Sequence, residues 1–151
     1  NRCRRQRQMC IRDRCEGDPF FYGSFMYIYA RLVKNYQIEV VPGVTSITAC
    51  AARAGTPLAA RNERLTVLPG PLPAEELRVR IEGAESVAIM KVGRHLKKIR
   101  GVIGELGLTE QAMYIERVSL PDELVCSLKN APEKAPYFSM IILTKGADPW
   151  L

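Results

Sequence analysis

The sequence predicts an α/β chain folded as two domains, and three observations predict it. Short β-branched runs alternate with segments whose apolar residues recur every three or four positions. Loops rich in glycine and proline punctuate them, at Gly17–Gly23, Pro42–Gly43 and Pro69–Pro71. A polar, basic stretch, Leu58–Arg64, reads as a crossover between two blocks. The blocks are residues 16–58 and 59–151, preceded by a distinct segment of residues 1–15.

In the first block, Gly17-Asp18-Pro19-Phe20-Phe21-Tyr22-Gly23 forms a turn into a helix. Phe25, Ile28, Tyr29 and Leu32 carry that helix's apolar face, and Asn35 ends it. Ile38–Val41 is a β-branched run, expected as a strand and stopped by Pro42-Gly43. Thr45 or Ser46 can cap the next helix, whose body Ala49–Ala54 ends at Gly55, with Pro57 just beyond. One strand and two helices are too few to bury both faces of a parallel sheet. The first domain is therefore expected to lack its N-terminal part.

The second block is richer. Leu65–Leu68 is a strand ended by Pro69-Gly70-Pro71. Pro73 suits a helix start, Glu75 and Glu76 favour the positive end of its dipole, and Leu77 and Ile81 form its apolar face. Val87–Val92 is a strand. Leu96, Ile99, Val102, Ile103 and Leu106 form an amphipathic stripe with Lys97, Lys98 and Arg100 expected in solvent, and Gly107 closes the helix. Ala112–Glu116, Leu124–Leu128 and Tyr137–Thr144 are expected as three further strands, antiparallel.

The charge is unevenly placed. Six arginines against Asp13 give residues 1–15 a charge of +5, leaving +1 of the total +6 for the rest. Three of the five cysteines, Cys3, Cys10 and Cys15, lie in the same segment. It can be read as a basic arm for nucleic acid. It can also be read as a metal site, though it has no Cys-x-x-Cys pair and no fourth ligand. The third reading is a non-native segment, because Met9–Arg14 looks like the translated end of a transposase adaptor. The third is preferred, so no nucleic-acid partner and no metal are expected. Cys50 and Cys126 are single and far apart, as suits free thiols in a reducing cytoplasm. No apolar run approaches the roughly 20 residues of a membrane helix, and no signal-peptide core follows the charged N-terminus.

The residues able to carry chemistry are few. Gly17 and Gly23 permit close backbone approach, and Asp18 can accept hydrogen bonds from loop amides or from a ligand. On its own this loop is as well explained by a capped helix entry. Pro42–Ser46 combines glycine freedom with hydroxyls at a helix start, where anions such as a carboxylate are favoured, although simple capping explains it too. His95 is the sole histidine and is expected at the surface or as a cap. There is no Gly-x-Ser-x-Gly nucleophile, Walker loop or Cys/His metal spacing, which suits a reaction whose reactivity comes from a cofactor.

Taken together, several blocks are more specific than any one loop. They are Gly17–Phe25, Val41–Ser46, Thr66-Val67-Leu68-Pro69-Gly70, Ile89-Met90-Lys91-Val92-Gly93-Arg94 and Tyr114-Ile115-Glu116-Arg117. In this order and spacing the chain resembles the tetrapyrrole methyltransferases, which use S-adenosylmethionine. Phe20-Phe21-Tyr22-Gly23-Ser24-Phe25 and the Met-Lys-x-Gly-Arg block resemble the branch that methylates carbon 20 of precorrin-2 in cobalamin biosynthesis. Branches acting on cobalt-factor II or uroporphyrinogen III are the nearest alternatives. The resemblance implies two α/β domains with the cofactor in the cleft between them, a cytoplasmic enzyme and a homodimeric full-length protein. It implies cofactor contacts from Gly17, Asp18, Phe21, Thr45, Ser46, Met90 and Thr144. Arg61, Arg64, Lys91 and Arg94 are candidates for substrate carboxylates on charge alone.

Overall fold

A computed structural model describes residues 17–146. The arginine- and cysteine-bearing arm, with the readings attached to Cys3, Cys10 and Cys15, lies outside the described residues. Four α-helices and five strands among the described residues bear out the mixed α/β expectation. The chain divides into two compact units, one running to Thr45 and the other from Ser46.

Among the described residues the first unit contains a single helix, α1 (Phe25–Leu32). Its entry turn folds back on it through rings: Phe20 lies 5.0 Å from Tyr29, edge to face, and 5.7 Å from Phe25. No residue of α1 is fully buried. Ile38–Val41 does not form the expected strand. A β-branched run supplies propensity, but a strand also requires a ladder partner, and none pairs with it among the described residues.

The second unit is a five-stranded sheet with helices packed against it. It comprises α2 (Ser46–Ala54), β1 (Leu65–Pro69), α3 (Ala74–Glu82), β2 (Ser86–Met90), α4 (Leu96–Glu105), β3 (Ala112–Glu116), β4 (Leu124–Ser127) and β5 (Ser139–Thr144). The strand order is β1-β2-β5-β3-β4. β1 and β2 are parallel and joined through α3, and every other pairing is antiparallel. Val87, Ile89, Tyr114, Ile141 and Leu143 join Leu77 and Ile81 of α3 and Leu96, Ile99 and Ile103 of α4 in one core. Alternate strand residues point to the opposite face, and there Ala88, Ile115 and Ile142 are also inaccessible. α2 packs against β3, β4 and β5 and buries Ile47 and Cys50. Both faces of the sheet are thus apolar, which is why β2 reads as a continuous hydrophobic run.

Local signals end α4 and β1 close to where the sequence places them, whereas β2 stops at Met90, before the expected Val92, and β5 begins at Ser139, after the expected Tyr137. Gly107 has φ +70, and the Leu108 and Gly107 amides donate to the Ile103 and Gly104 carbonyls, a Schellman closure of α4. At the end of β1, the Gly70 amide donates to the Met90 carbonyl at 2.7 Å, and a Cβ at Gly70 would meet the Lys91 carbonyl at 2.7 Å. Two cations expected in solvent are engaged instead. Lys98 donates to the carbonyls of Gly70 and Leu72, and Arg100 to that of Ala131. Their apolar stems lie along the core while their heads satisfy loop carbonyls.

Ile103 is inaccessible and central to this core. Ile103→Ala is expected to lower unfolding stability by about 2–5 kcal/mol. The exposed Val79→Ala should change it by less than about 0.5 kcal/mol. Urea unfolding with an unchanged m-value checks both.

Candidate functional site

The sequence brings its two glycine loops together inside the first unit. Gly17 adopts φ +79, a conformation that L side chains rarely take. Its carbonyl abuts Gly43 so closely that a Cβ at position 43 would lie 2.2 Å from it. The half-buried Asp18 spans the junction. One carboxylate oxygen accepts the Gly43 amide at 3.0 Å, and the other accepts the Phe20 amide at 2.9 Å. Asp18 therefore acts on loop amides, the first of the two roles its sequence allowed. Phe21 is half-buried and packs edge to face on Tyr22 at 5.2 Å. Thr45 closes this unit, and Ser46 opens α2 in the next.

In the second unit the sheet's register separates the remaining candidates. Met90, at the C-terminal end of β2, pairs with Pro69, whereas Thr144 pairs with Ser86 at the other end. Four residues of strand, about 13 Å, lie between them. Thr144 donates its hydroxyl to the Pro57 carbonyl at 3.3 Å. Arg64 precedes β1 at the same end and is held by Glu85 through its amide and its guanidinium. Arg61 lies three residues before it, at φ +49. Lys91 and Arg94 lie at the Met90 end, and the Arg94 guanidinium contacts the His95 imidazole at 3.4 Å. The four candidate cations thus form two pairs at opposite ends of the sheet. His95 occupies the N-cap position of α4 but makes no side-chain capping hydrogen bond there.

Besides Lys91, the Met90 end contains polar residues that sequence reasoning left without a role. Lys91 and Arg117 each follow a strand and adopt φ +57 and +49. Glu116 is buried and accepts the Tyr114 hydroxyl. Burial, reinforced by that bond, raises the Tyr114 pKa. The Ser139 hydroxyl donates to the Pro136 carbonyl at 2.7 Å and accepts the Gly93 amide at 3.1 Å. The available signal was Glu116-Arg117 at the end of an apolar strand, since a charge there must be paired or exposed.

Hydrogen bonds from Gly43, then Phe20, hold the Asp18 carboxyl below its ordinary value of 3.8. A depressed folded-state value means that the charged clamp supports the junction above the ordinary value and is lost as pH falls through the lower one. The protection factor of the Gly43 amide is expected to be high at neutral pH and to fall on acidification below 3.8. Asp18→Asn should remove that acid dependence, as followed by NMR.

Comparison with known proteins places this geometry. The family model described as Tetrapyrrole (Corrin/Porphyrin) Methylases matches residues 5–131. The chain is similar to a precorrin-2 C(20)-methyltransferase of Sinorhizobium sp, 41% identical over 134 residues, covering 88% of this chain and 55% of that protein. The chain thus spans about half the length of that relative. Among solved structures it resembles a cobalt precorrin-4 methyltransferase, with TM-score 0.65 and 25% identity over 85% of this chain and 61% of that one. It also resembles a uroporphyrin-III C-methyltransferase from Thermus thermophilus complexed with S-adenosyl homocysteine. That likeness has TM-score 0.59 and 25% identity over 83% of this chain and 62% of that one. Among the described residues no helix is long and apolar enough to cross a membrane. By its loops, its mixed sheet and the family match over most of its length, the chain belongs to the tetrapyrrole (corrin/porphyrin) methylases.

Proposed function

We propose that the protein containing this chain transfers a methyl group from S-adenosylmethionine to carbon 20 of precorrin-2, giving precorrin-3A on the route to cobalamin. The observation that carries the reading is the Asp18-clamped junction of the two glycine loops. It is supported by the 41% identity to a protein named for that reaction. S-adenosylmethionine, when bound, supplies an electrophilic methyl group on a sulfonium.

The residues present fit such a ligand. The loop junction is lined by backbone, with no room for a side chain at Gly43, and the half-buried Phe21 stands beside it. Gly17 and Thr45 would supply backbone and hydroxyl contacts there, and Ser46 would supply a hydroxyl at the start of α2. Asp18 would hold the loop's shape, since both of its oxygens already accept loop amides. Met90 and Thr144 lie at opposite ends of the sheet, so on this reading they would contact different parts of the ligand. Lys91 and Arg94 share the Met90 end and are the better placed of the four cations for the same substrate. Charge is neutralised during methyl transfer, so the chain's contribution is alignment. Such positioning is worth about 7–11 kcal/mol at best.

Precorrin-2 incubated with isotope-labelled S-adenosylmethionine and the protein carrying this sequence is expected to gain label at carbon 20. Label at any other carbon, read by NMR, would overturn the assignment. Calorimetry of the protein carrying this sequence with S-adenosylmethionine is expected to lose its signal in Gly43→Val, where the loops cannot meet.

A further inference from the structure

α2 lies on the sheet with little apolar grip. Only Ile47 and Cys50 of its nine residues are buried, whereas α4 buries Leu96, Ile99, Val102 and Ile103. Two buried side chains leave a short helix free to pivot, so its bearing must be fixed by something else. Arg53 continues the same stripe, three residues beyond Cys50, and is the only charged residue of α2. Its own helix does not need it. Gly55, at φ +62, closes α2: the Thr56 amide donates to the Ala51 carbonyl at 3.1 Å and the Gly55 amide to that of Ala52 at 3.4 Å. The guanidinium instead crosses to the turn between β3 and β4.

Glu123 receives it there. Arg53 Nε lies 2.7 Å and Nη2 2.6 Å from one carboxylate oxygen. The other oxygen accepts the Ser119 amide at 2.6 Å. One carboxylate thus holds the helix with one oxygen and the turn with the other. The turn needs holding, because Ser119 has φ +66, a left-handed conformation that a serine adopts at a cost. The anion is also the shielded partner: the Glu123 side chain is 12% exposed and that of Arg53 61%. The cation keeps most of its water while the attraction is screened less than between two exposed charges.

We propose that Arg53 and Glu123 are a positioning pair, which ties the last turn of α2 to the β3–β4 turn and so fixes the bearing of the helix that presents Ser46 to the methyl donor. The proposal rests on the methylase reading for its ligand. About 10 Å of helix separates Arg53 from Ser46, so release at one end displaces the other. Neither member of the pair takes part in methyl transfer.

The test is a calorimetric titration of the protein carrying this sequence with S-adenosylhomocysteine. Arg53→Ala is expected to weaken binding about fivefold, the size of one partly shielded ion pair. Glu123→Gln removes the charge but keeps an acceptor for the Ser119 amide, and should weaken binding by the same factor. The double variant should bind no worse than either single one, because both remove one interaction. Arg53→Lys should recover most of the loss, a rescue that a mere packing defect would not give. Arg80→Gln, on the exposed face of α3, should bind as the unaltered protein does. Unchanged binding in both single variants, or losses that add in the double one, overturns the pair. Hydrogen exchange supplies a second measurement that needs no ligand. Protection of the Cys50 and Ala51 amides should fall in Glu123→Gln while that of Ile103 holds, and equal protection of α2 in the two proteins also overturns the pair. If the unaltered protein binds no S-adenosylhomocysteine, the methylase reading fails, and the exchange result alone decides whether the pair fixes α2.

Discussion

The second unit depends on the position of its last strand. β5 ends the described chain but lies in the middle of the sheet, antiparallel to β2 on one side and to β3 on the other. Without it, β1–β2 and β3–β4 would be two separate ribbons, and a two-stranded piece is marginal in water. Its central residues, Ile141, Ile142 and Leu143, are wholly inaccessible and serve both faces. The polar surface at the Met90 end follows from the same insertion, because Ser139 and Phe138 reach Gly93 and Arg117 only when β5 lies between their strands. The pairings also span long sequence separations, which makes this sheet a slow-forming one.

Around that centre, cations close the open ends. Lys98 serves the carbonyls after β1, Lys145 those of Ile81 and Glu82 at the end of α3, and Arg53 joins α2 to Glu123 at 2.6 Å. A lysine at a helix C-terminus complements the dipole and satisfies carbonyls that have no partner within the helix. The Arg53 link is enclosed on its acidic side, where the Glu123 side chain is 12% exposed and also accepts the Ser119 amide.

Much of this was legible in the sequence. Leu96, Ile99, Val102 and Ile103 announced α4, and Gly107 announced its end, because a 3.6-residue period and a left-handed glycine are local properties. Ala112–Glu116 was legible for the same reason. Lys98 and Arg100 were misjudged because helical spacing says which side a residue faces, not which loop passes overhead. Ile38–Val41 failed as a strand because pairing is non-local. The candidate site divides in the same way. The two loops were visible as motifs, but the separation of Met90 from Thr144 follows from strand register, which no single segment encodes.

The contact between Gly17 and Gly43 has a consequence for how the sequence can vary. Position 43 is selected by volume and not by chemistry, since even a methyl group would collide with the Gly17 carbonyl. Asp18 is selected by reach, because its two oxygens must span two amides 23 positions apart in the chain, those of Phe20 and Gly43. Substitutions at the two sites therefore cannot compensate for one another. A larger residue at 43 displaces the loop whatever stands at 18, and a shorter or uncharged residue at 18 leaves position 43 no freer than before. In a random library the junction would behave as two independent vetoes, and variation would be pushed outward to the rings and hydroxyls around it.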